Sequence, residues 1–561
     1  MNYKYEIAKL INIDGFSTED IESLITFPKD SSMGDYALPC FKFSKVLRKA
    51  PVVIANELKD TIPTSELIEK VESVAGYLNF TISKIPFIKE TLEKIDNEKE
   101  NYGSSTLGKG KTICIDYSSI NIAKPFHIGH LSTTVIGAAL YRIYKFLGYN
   151  TVGINHLGDW GTQFGKLIVA YKLWGDKDKI EKDGIRALLE IYVKFHSEAE
   201  KDDSLNDEAR AWFKRIEDGD TEALGLFEWF KDITLKEVSR VYKRLDIKFD
   251  SYNGESFYND KMQPILDEIE EKGLSKKSEG ATIVDLEEYG MAPCLLKKAD
   301  GATLYATRDL AAAFYRKKTY DFDKCLYVVA YQQNLHFKQW FKVVELMGYS
   351  WAKDLIHVAF GMVSLEGASL STRKGNVVFL EEVLDNAVKK AYSIICEKNA
   401  NLENKEQIAE EVGVGAVVFS ALSNNRIKDI SFSYDKVLNF DGETAPYIQY
   451  THARCCSVIE KGNMGIEIDY KGLENEEAFE LVKLLERFPQ IIEDSASKNE
   501  PSMVTRHIVS IAQAYNKFYI NHRIIDQPED IKNARLLLTS CTRDVIKTGL
   551  RLIGIKAPTK M

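Results

Sequence analysis

Along the first hundred residues, hydrophobic positions mix short helical spacings with one alternating run, Gly76-Tyr77-Leu78-Asn79-Phe80-Thr81-Ile82, and Pro51, Pro63 and Pro86 break the stretch. Alternation marks a half-buried strand, so residues 1–108 read as a small α+β domain that ends in a linker. The linker is the charged segment Glu93 to Gly110, which holds Asn97-Glu98-Lys99-Glu100-Asn101 and shows no apolar face. From Lys111 the pattern changes. Thr112-Ile113-Cys114-Ile115-Asp116-Tyr117 is a continuous apolar strand, followed by a loop and a helix from about Gly129 to Leu147. Buried-strand runs return at Lys324–Ala330 and Asp354–Phe360. Strand, loop and helix in alternation predict a parallel α/β sheet, here over 109–400, and the charged, mostly helical stretch at about 170–290 reads as an insertion into it. Beyond residue 405 apolar residues recur at helical spacing, as in Phe479, Val482, Leu485 and Phe488, and again in Ile508, Ile511, Tyr515 and Phe518. Residues 401–561 therefore read as an all-α bundle, and no repeat of fixed period appears.

Composition narrows the class without changing that outline. The chain has 561 residues, 45% hydrophobic and 28% charged, ordinary values for a folded soluble protein of several domains. The net charge of -9 argues against a uniformly basic nucleic-acid-coating protein but leaves room for a local basic face. Residues 501–561 carry ten Lys and Arg against four Asp and Glu, so an anionic partner suits that end. Eight cysteines are scattered with no CxxC pair, which indicates neither a zinc ribbon nor a disulfide framework. No targeting pattern or membrane span is visible, and the expectation is a cytoplasmic protein.

The strongest chemical feature lies between the first sheet strand and its helix: Ser118-Ser119-Ile120-Asn121-Ile122-Ala123-Lys124-Pro125-Phe126-His127-Ile128-Gly129-His130. Amides and the positive dipole at a helix start favour phosphate. Two histidines flanking Gly129 donate to phosphate oxygens, the glycine permits close approach, and Lys124 adds a full charge. This is equipment for phosphoryl or nucleotidyl transfer, where positioning and charge stabilisation dominate. The plainer alternative is that both histidines only cap the helix.

The string resembles the class I aminoacyl-tRNA synthetases, whose first nucleotide motif is His-Ile-Gly-His. Its flanks, together with Asn155-His156-Leu157-Gly158-Asp159-Trp160-Gly161-Thr162-Gln163-Phe164-Gly165, resemble the arginyl-tRNA synthetases in particular. In that class a second motif, Lys-Met-Ser-Lys-Ser, stabilises pyrophosphate. The matching place reads Ser369-Leu370-Ser371-Thr372-Arg373-Lys374-Gly375-Asn376, with Ser369 and Thr372 where the lysines stand, a departure the arginine branch shares and for which Lys124 is thought to compensate. The resemblance implies catalytic work for Lys124, His127, His130, Ser371, Arg373 and Lys374, and ATP binding by Lys124, His127, Gly129, His130 and Gly375. It also implies a Rossmann-like class I catalytic domain with a helical insertion, an N-terminal module and a helical anticodon-binding domain.

A guanidinium is recognised by carboxylates and planar acceptors that take its fork in paired hydrogen bonds. The run Gly301–Leu310 supplies Tyr305 and Asp309 at an i, i+4 interval, on one face if helical. The resemblance implies that these contact an arginine side chain, joined by Glu255 and Gln333, while Asn121 and Ser119 hold the α-amino and carboxylate ends with Asp116 nearby. A salt bridge to a neighbouring Lys or Arg is the ordinary alternative for Asp309. In the helical third, Tyr447 and Tyr450 resemble tyrosines that meet an unstacked anticodon, a task for which aromatic faces are suited; core tyrosines are the alternative. The N-terminal domain resembles the family's appended module that contacts the tRNA elbow, with Tyr77 and Asn79 of the alternating strand as the candidates; packing within the strand is the alternative.

The implied reaction joins arginine and ATP into arginyl adenylate and then transfers arginine to the terminal adenosine of tRNA(Arg). Mg2+ accompanies ATP on its phosphates, no protein metal site is expected, and the protein is expected to be a monomer. A cysteinyl-type synthetase, a small-molecule nucleotidyltransferase and an inactive tRNA-binding paralogue are the rival readings. The missing zinc spacing, the long helical C-terminal region and the retention of Lys124, His127, His130 and Asp309 argue against each in turn. The family's activation step also characteristically waits for tRNA.

Overall fold

The computed structural model describes residues 3–28, 30, 33–63, 65–299, 301–365, 378–465 and 467–561. The chain forms two compact units, one from Met1–Tyr102, Arg454–Arg487 and Ser510–Val545, the other from Gly103–Ala453, Phe488–Val509 and Ile546–Met561.

In the first unit, β1 (Tyr36–Pro39), β2 (Ile68–Val74) and β3 (Tyr77–Ile82) form an antiparallel sheet in the order β1-β3-β2. The alternating run becomes β3, with Leu78, Phe80 and Ile82 buried and Tyr77 exposed. The next helix, Lys84–Glu98, buries Phe87, Ile88, Leu92 and Ile95, so it runs into the segment that reads locally as a linker. Its inward face is supplied with partners from far along the chain: Phe87 meets Phe479 edge-on at 5.7 Å, and the Tyr102 hydroxyl donates to the Leu485 carbonyl at 3.1 Å. Lys483 bonds the buried Asp35 at 3.0 Å.

In the second unit, β4 (Thr112–Asp116) and β5 (Asn150–Ile154) pair in parallel. A run of helices from Gln163 to Glu271 follows, as the charged, helical pattern predicts. Three four-residue antiparallel strands come next, β6 (Ser275–Ser278), β7 (Ala281–Val284) and β8 (Cys294–Lys297). Their shortness and the exposed lysines of β6 left them no clear period. β9 (Lys324–Tyr327) and β10 (Leu355–His357) complete a parallel sheet in the order β10-β9-β4-β5. β11 (Val363–Leu365) and β12 (Ile430–Phe432) pair separately. Ile113, Cys114 and Ile115 are fully buried, which is what a strand covered on both faces requires.

Chain order places β5 on one side of β4 and β9 on the other, so strand order reverses between β4 and β9. The crevice outside their carboxyl ends is where open α/β sheets take ligands. β9 and β10 stop short of the apolar runs that predict them because the chain turns there into loops at this crevice. The helical pattern beyond residue 405 is realised in Lys405–Leu422, Ala445–Gly462, Glu476–Lys498, Ser502–Asn521 and Glu529–Leu552, with Leu485, Phe488, Ile508, Ile511, Tyr515 and Phe518 buried.

Candidate active site

β4 ends at Asp116, and the chain then turns through backbone that side chains rarely adopt, with φ of 69° at Ser118, 41° at Ser119 and 59° at Ala123. Left-handed non-glycine residues persist only where surroundings over-determine them, and here they do. The Ser118 N–H donates to Thr133 Oγ1 at 3.0 Å, and its hydroxyl lies 2.9 Å from Thr134 Oγ1 and 2.7 Å from the Tyr242 hydroxyl. The Ala123 N–H donates to Thr234 Oγ1 at 3.0 Å. Asn121 bridges to Gly158: the Gly158 N–H donates to the Ile120 carbonyl at 2.8 Å, and the Ile122 N–H donates to the Gly158 carbonyl at 3.1 Å. The two motif strings found in the sequence thus form one paired structure.

At the start of the helix Leu131–Phe146, the rings of His127 and His130 meet at a tilt of 43° with centres 4.1 Å apart. The Gly129 N–H donates to His127 Nδ1 at 3.0 Å. A nitrogen that accepts carries no proton, so neutral His127 keeps its proton on Nε2. A side chain at Gly129 would meet the His127 ring, 2.8 Å from Cε1, so the glycine is required by the folded-over imidazole. Burial lowers the pKa of both histidines, to about 3 for His130, and the neighbouring Lys124 charge pushes in the same direction. Both are neutral donors at pH 7. His130 Nδ1 lies 3.2 Å from the His127 N–H.

The opposite side of the crevice is the helix Tyr305–Tyr320. Its start is fixed by β8: the Leu304 N–H donates to the Leu296 carbonyl at 3.1 Å, and the buried Thr307 hydroxyl donates to the same carbonyl at 2.7 Å. Tyr305 and Asp309 therefore share a helix face, as their spacing predicts. Tyr305 is 69% exposed, and Asp309 Oδ2 lies 2.6 Å from His336 Nε2. Glu255 follows Gly254, whose Cα packs so closely that a Cβ would fall 2.5 Å from Asp159 Oδ1 and 2.6 Å from the Leu157 carbonyl. Asp159 is completely buried; it accepts from the Ser256 N–H at 2.9 Å and the Ser256 hydroxyl at 2.8 Å and pairs with Lys231 at 3.0 Å. Burial pushes the Glu255 carboxyl up to about 7, Asp309 and Asp159 add to the rise, and Arg308, 3.8 Å away, and Lys124 oppose it.

Lys124 lies close enough to act through its charge on His127, His130 and Glu255, as Asp309 does on Glu255. Asp116 and Ser119 lie at the floor, with the Ser119 hydroxyl donating to Asp116 Oδ1 at 2.6 Å. Gln333 is exposed in the turn Tyr331–Gln333 that leads from β9 toward His336. Ser371, Arg373, Lys374 and Gly375, with Ser369 and Thr372, lie outside the described residues. Tyr447 and the exposed Tyr450 stand on the helix Ala445–Gly462, while Tyr77 and Asn79 belong to the first unit, Asn79 being 5% exposed. Sequence reasoning gave no role to His336, Asp159 and Arg308. It also passed over Arg316, which the i, i+7 spacing from Asp309 places on the same helix face. Among the described residues, no group of three or more His, Cys, Asp or Glu is arranged to hold a metal ion, and no helix is long and apolar enough to cross a membrane.

A crevice at the strand-order reversal, opened by His-Ile-Gly-His at a helix start, is the arrangement of a class I aminoacyl-tRNA synthetase, and the family model described as tRNA synthetases class I (R), catalytic domain, matches residues 91–434. The DALR anticodon binding domain matches 448–561, and the arginyl tRNA synthetase N terminal domain matches 2–82. The chain belongs to the arginyl-tRNA synthetase family. It is 56% identical to the arginine–tRNA ligases of Alkaliphilus metalliredigens and Clostridioides difficile, with 100% of each chain covered. The solved structure of Thermus thermophilus arginyl-tRNA synthetase superposes with a TM-score of 0.84 at 25% identity, covering 96% of both chains.

Proposed function

We infer that the chain is an arginine–tRNA ligase, an enzyme that activates L-arginine with ATP and transfers it to the 3' terminal adenosine of tRNA(Arg). The observation that carries this reading is the meeting, in one crevice, of a lysine and two neutral imidazoles with the carboxylates Asp309 and Glu255. The arginine carboxylate attacks the α-phosphorus of ATP, and pyrophosphate leaves. The terminal adenosine hydroxyl then attacks the adenylate carbonyl, and AMP leaves. His127 and His130 donate to the phosphate oxygens over Gly129, and Lys124 stabilises the charge that grows there, an effect strongest in a pre-organised site. Ser371, Arg373, Lys374 and Gly375 hold the leaving pyrophosphate.

Tyr305, Asp309, Glu255 and Gln333 take the guanidinium, and Asn121 and Ser119 take the amino-acid end, with Asp116 acting through Ser119. Mg2+ belongs to the substrate, bound to the phosphates of ATP. Residues 109–400 carry the chemistry and 401–561 the anticodon contacts, where Tyr447 and Tyr450 offer stacking faces. Residues 1–108 meet the tRNA elbow through Tyr77, with Asn79 supporting its strand. The N-terminal, catalytic and DALR family models, matched in that order along the chain, support that division. The enzyme acts as a cytoplasmic monomer; its eight cysteines are all free thiols, which suits a reducing compartment.

The test is purified protein with total tRNA and each labelled amino acid in turn. Incorporation of arginine alone is expected. Incorporation of a different amino acid, or of none, would overturn the reading.

A further inference from the structure

The floor of the crevice holds a cation that the substrate-facing roles do not use. Arg316, on the helix that carries Tyr305 and Asp309, is 1% exposed. Its Nη2 donates to Asp116 Oδ2 at 2.7 Å and lies 3.3 Å from His156 Nδ1, while Nε and Nη1 have no hydrogen-bond partner in the protein. The guanidinium also faces the Tyr327 ring at 5.4 Å. Burial alone would lower its pKa, yet the Asp116 carboxylate holds it firmly protonated. A buried arginine with orphaned donors is expensive, so its retention at the floor of an active site calls for a reason.

Both oxygens of Asp116 are occupied, one by Arg316 and the other by the Ser119 hydroxyl in its left-handed turn. A guanidinium only donates, so the His156 nitrogen facing it must accept, and the proton of neutral His156 sits on Nε2. We propose that Arg316 is a specificity-determining positioning residue: it is the internal counter-ion that keeps Asp116 from competing for the substrate, steadies the Ser119 turn through Asp116, and holds the His156 ring through its Nδ1. The substrate guanidinium then meets Asp309 and Glu255 as the carboxylates of the pocket. This rests on the arginine-ligase reading and deepens it.

The groups around His156 give the inference a pH signature. They are Asp116 on β4, Arg316 and Asp309 on one helix, Asp159 on its own loop, and the Tyr258 ring at 5.5 Å. Burial does most to keep His156 neutral; Asp116 pulls its pKa up, Arg316 opposes Asp116, and Asp309 and Asp159 pull upward. Without the Arg316 charge, the carboxylates act unopposed, and His156 takes a proton as pH falls.

The experiment measures charging by the full-length enzyme and its Asp116→Asn, Arg316→Gln and double variants, with melting temperatures as the check on folding. Asp116→Asn leaves the Arg316 charge unpaired at the floor of the pocket, where it repels the cationic substrate, and the arginine KM rises about tenfold or more while the ATP KM stays within about twofold. The double variant removes both charges and recovers the arginine KM to within about threefold of wild type. Arg316→Gln shows an arginine KM whose ratio to wild type grows as pH drops from 8 to 6, and adding Asp116→Asn abolishes that growth.

If Asp116 contacts the substrate directly, the folded double variant stays as impaired as Asp116→Asn, and the inference is overturned. It is likewise overturned if arginine and ATP KM rise together at every pH, or if the double variant does not fold. A wild-type enzyme that fails to charge tRNA with arginine removes the underlying reading instead, so the two failures are told apart.

Discussion

The loop after β4 and the first turn of the helix Tyr305–Tyr320 face the same crevice, yet they are built in opposite ways. On the β4 side, Ser118 bonds through both its N–H and its hydroxyl, the Ala123 N–H is held by Thr234, and the Gly129 N–H binds His127. Strained backbone is kept in place by bonds that exist before any ligand arrives. On the other side, Tyr305 projects into solvent, and Asp309 is joined to the half-buried His336. Pre-organised donors cost no reorganisation at the moment of reaction, whereas exposed side chains must be ordered by what they bind. On the proposed assignment the nucleotide side is therefore ready, and the arginine side is completed by its ligands.

The largest effect expected from this contrast is on arginine-dependent pyrophosphate exchange. Exchange should remain near background without tRNA, appear with arginine tRNA and stay low with a noncognate tRNA, because the open side is completed by a closure step. Strong exchange in the tRNA-free sample would erase the contrast, since both sides would then be productive as they stand. Next in size is Asp309→Asn, which removes the proposed negative partner of the guanidinium at constant size. A charge-assisted hydrogen bond contributes about 1.5 to 3 kcal/mol, so kcat/KM for arginine should drop by roughly ten- to over a hundredfold, with the ATP KM nearly unchanged. Unaltered arginine kinetics would remove Asp309 from the pocket.

The converse substitution strikes the rigid side. Thr133 Oγ1 accepts the Ser118 N–H and donates to the Val328 carbonyl at 2.7 Å, so Thr133→Val leaves two buried backbone groups unpaired at about 1 to 3 kcal/mol. The melting temperature should fall, and the ATP KM should rise several-fold more than the arginine KM. A variant hurt mainly on the arginine side would contradict the division of labour.

The smallest effect is a pH dependence. Burial holds the Glu255 carboxyl near 7 against an ordinary 4.5, with Asp309 and Asp159 reinforcing the shift and Arg308 and Lys124 opposing it. Between those values the folded protein binds more protons than the unfolded chain, so this group makes the ligand-free enzyme less stable as pH rises through that window. Arginine prefers the ionised form, and its KM should increase a few-fold from pH 8 to pH 6. Glu255→Gln should flatten both trends, and calorimetry alongside arginine titrations at the two pH values checks them.

Much of the proposed site was legible because its residues are close along the chain. His127, Gly129 and His130 sit at a helix start that the strand-to-helix change of period already marks, and Tyr305 and Asp309 share a helix face by spacing alone. The tyrosine at 450 was legible as an aromatic but not as an exposed one. The helix Lys84–Glu98 was partly misread as linker because its buried face is covered by C-terminal segments. β6, β7 and β8 were missed because four-residue strands carry too few alternations to show a period, although β8 is what anchors the start of the Tyr305 helix.

The sequence by itself determined the kinds of chemistry available and the local elements that carry them, since helical spacing, a continuous apolar strand and a glycine between two histidines act over a few residues. Only the tertiary structure decided which charges face the crevice and which are consumed within the protein. Asp116 is taken up by Arg316, Asp159 by Lys231 and Ser256, and Asp309 is joined to His336. Burial, likewise invisible in the linear order, makes His130 a neutral donor and lifts Glu255 toward neutrality. Pairing and desolvation depend on distance through space, and residues remote along the chain acquire that distance only when the sheet and its insertions have packed.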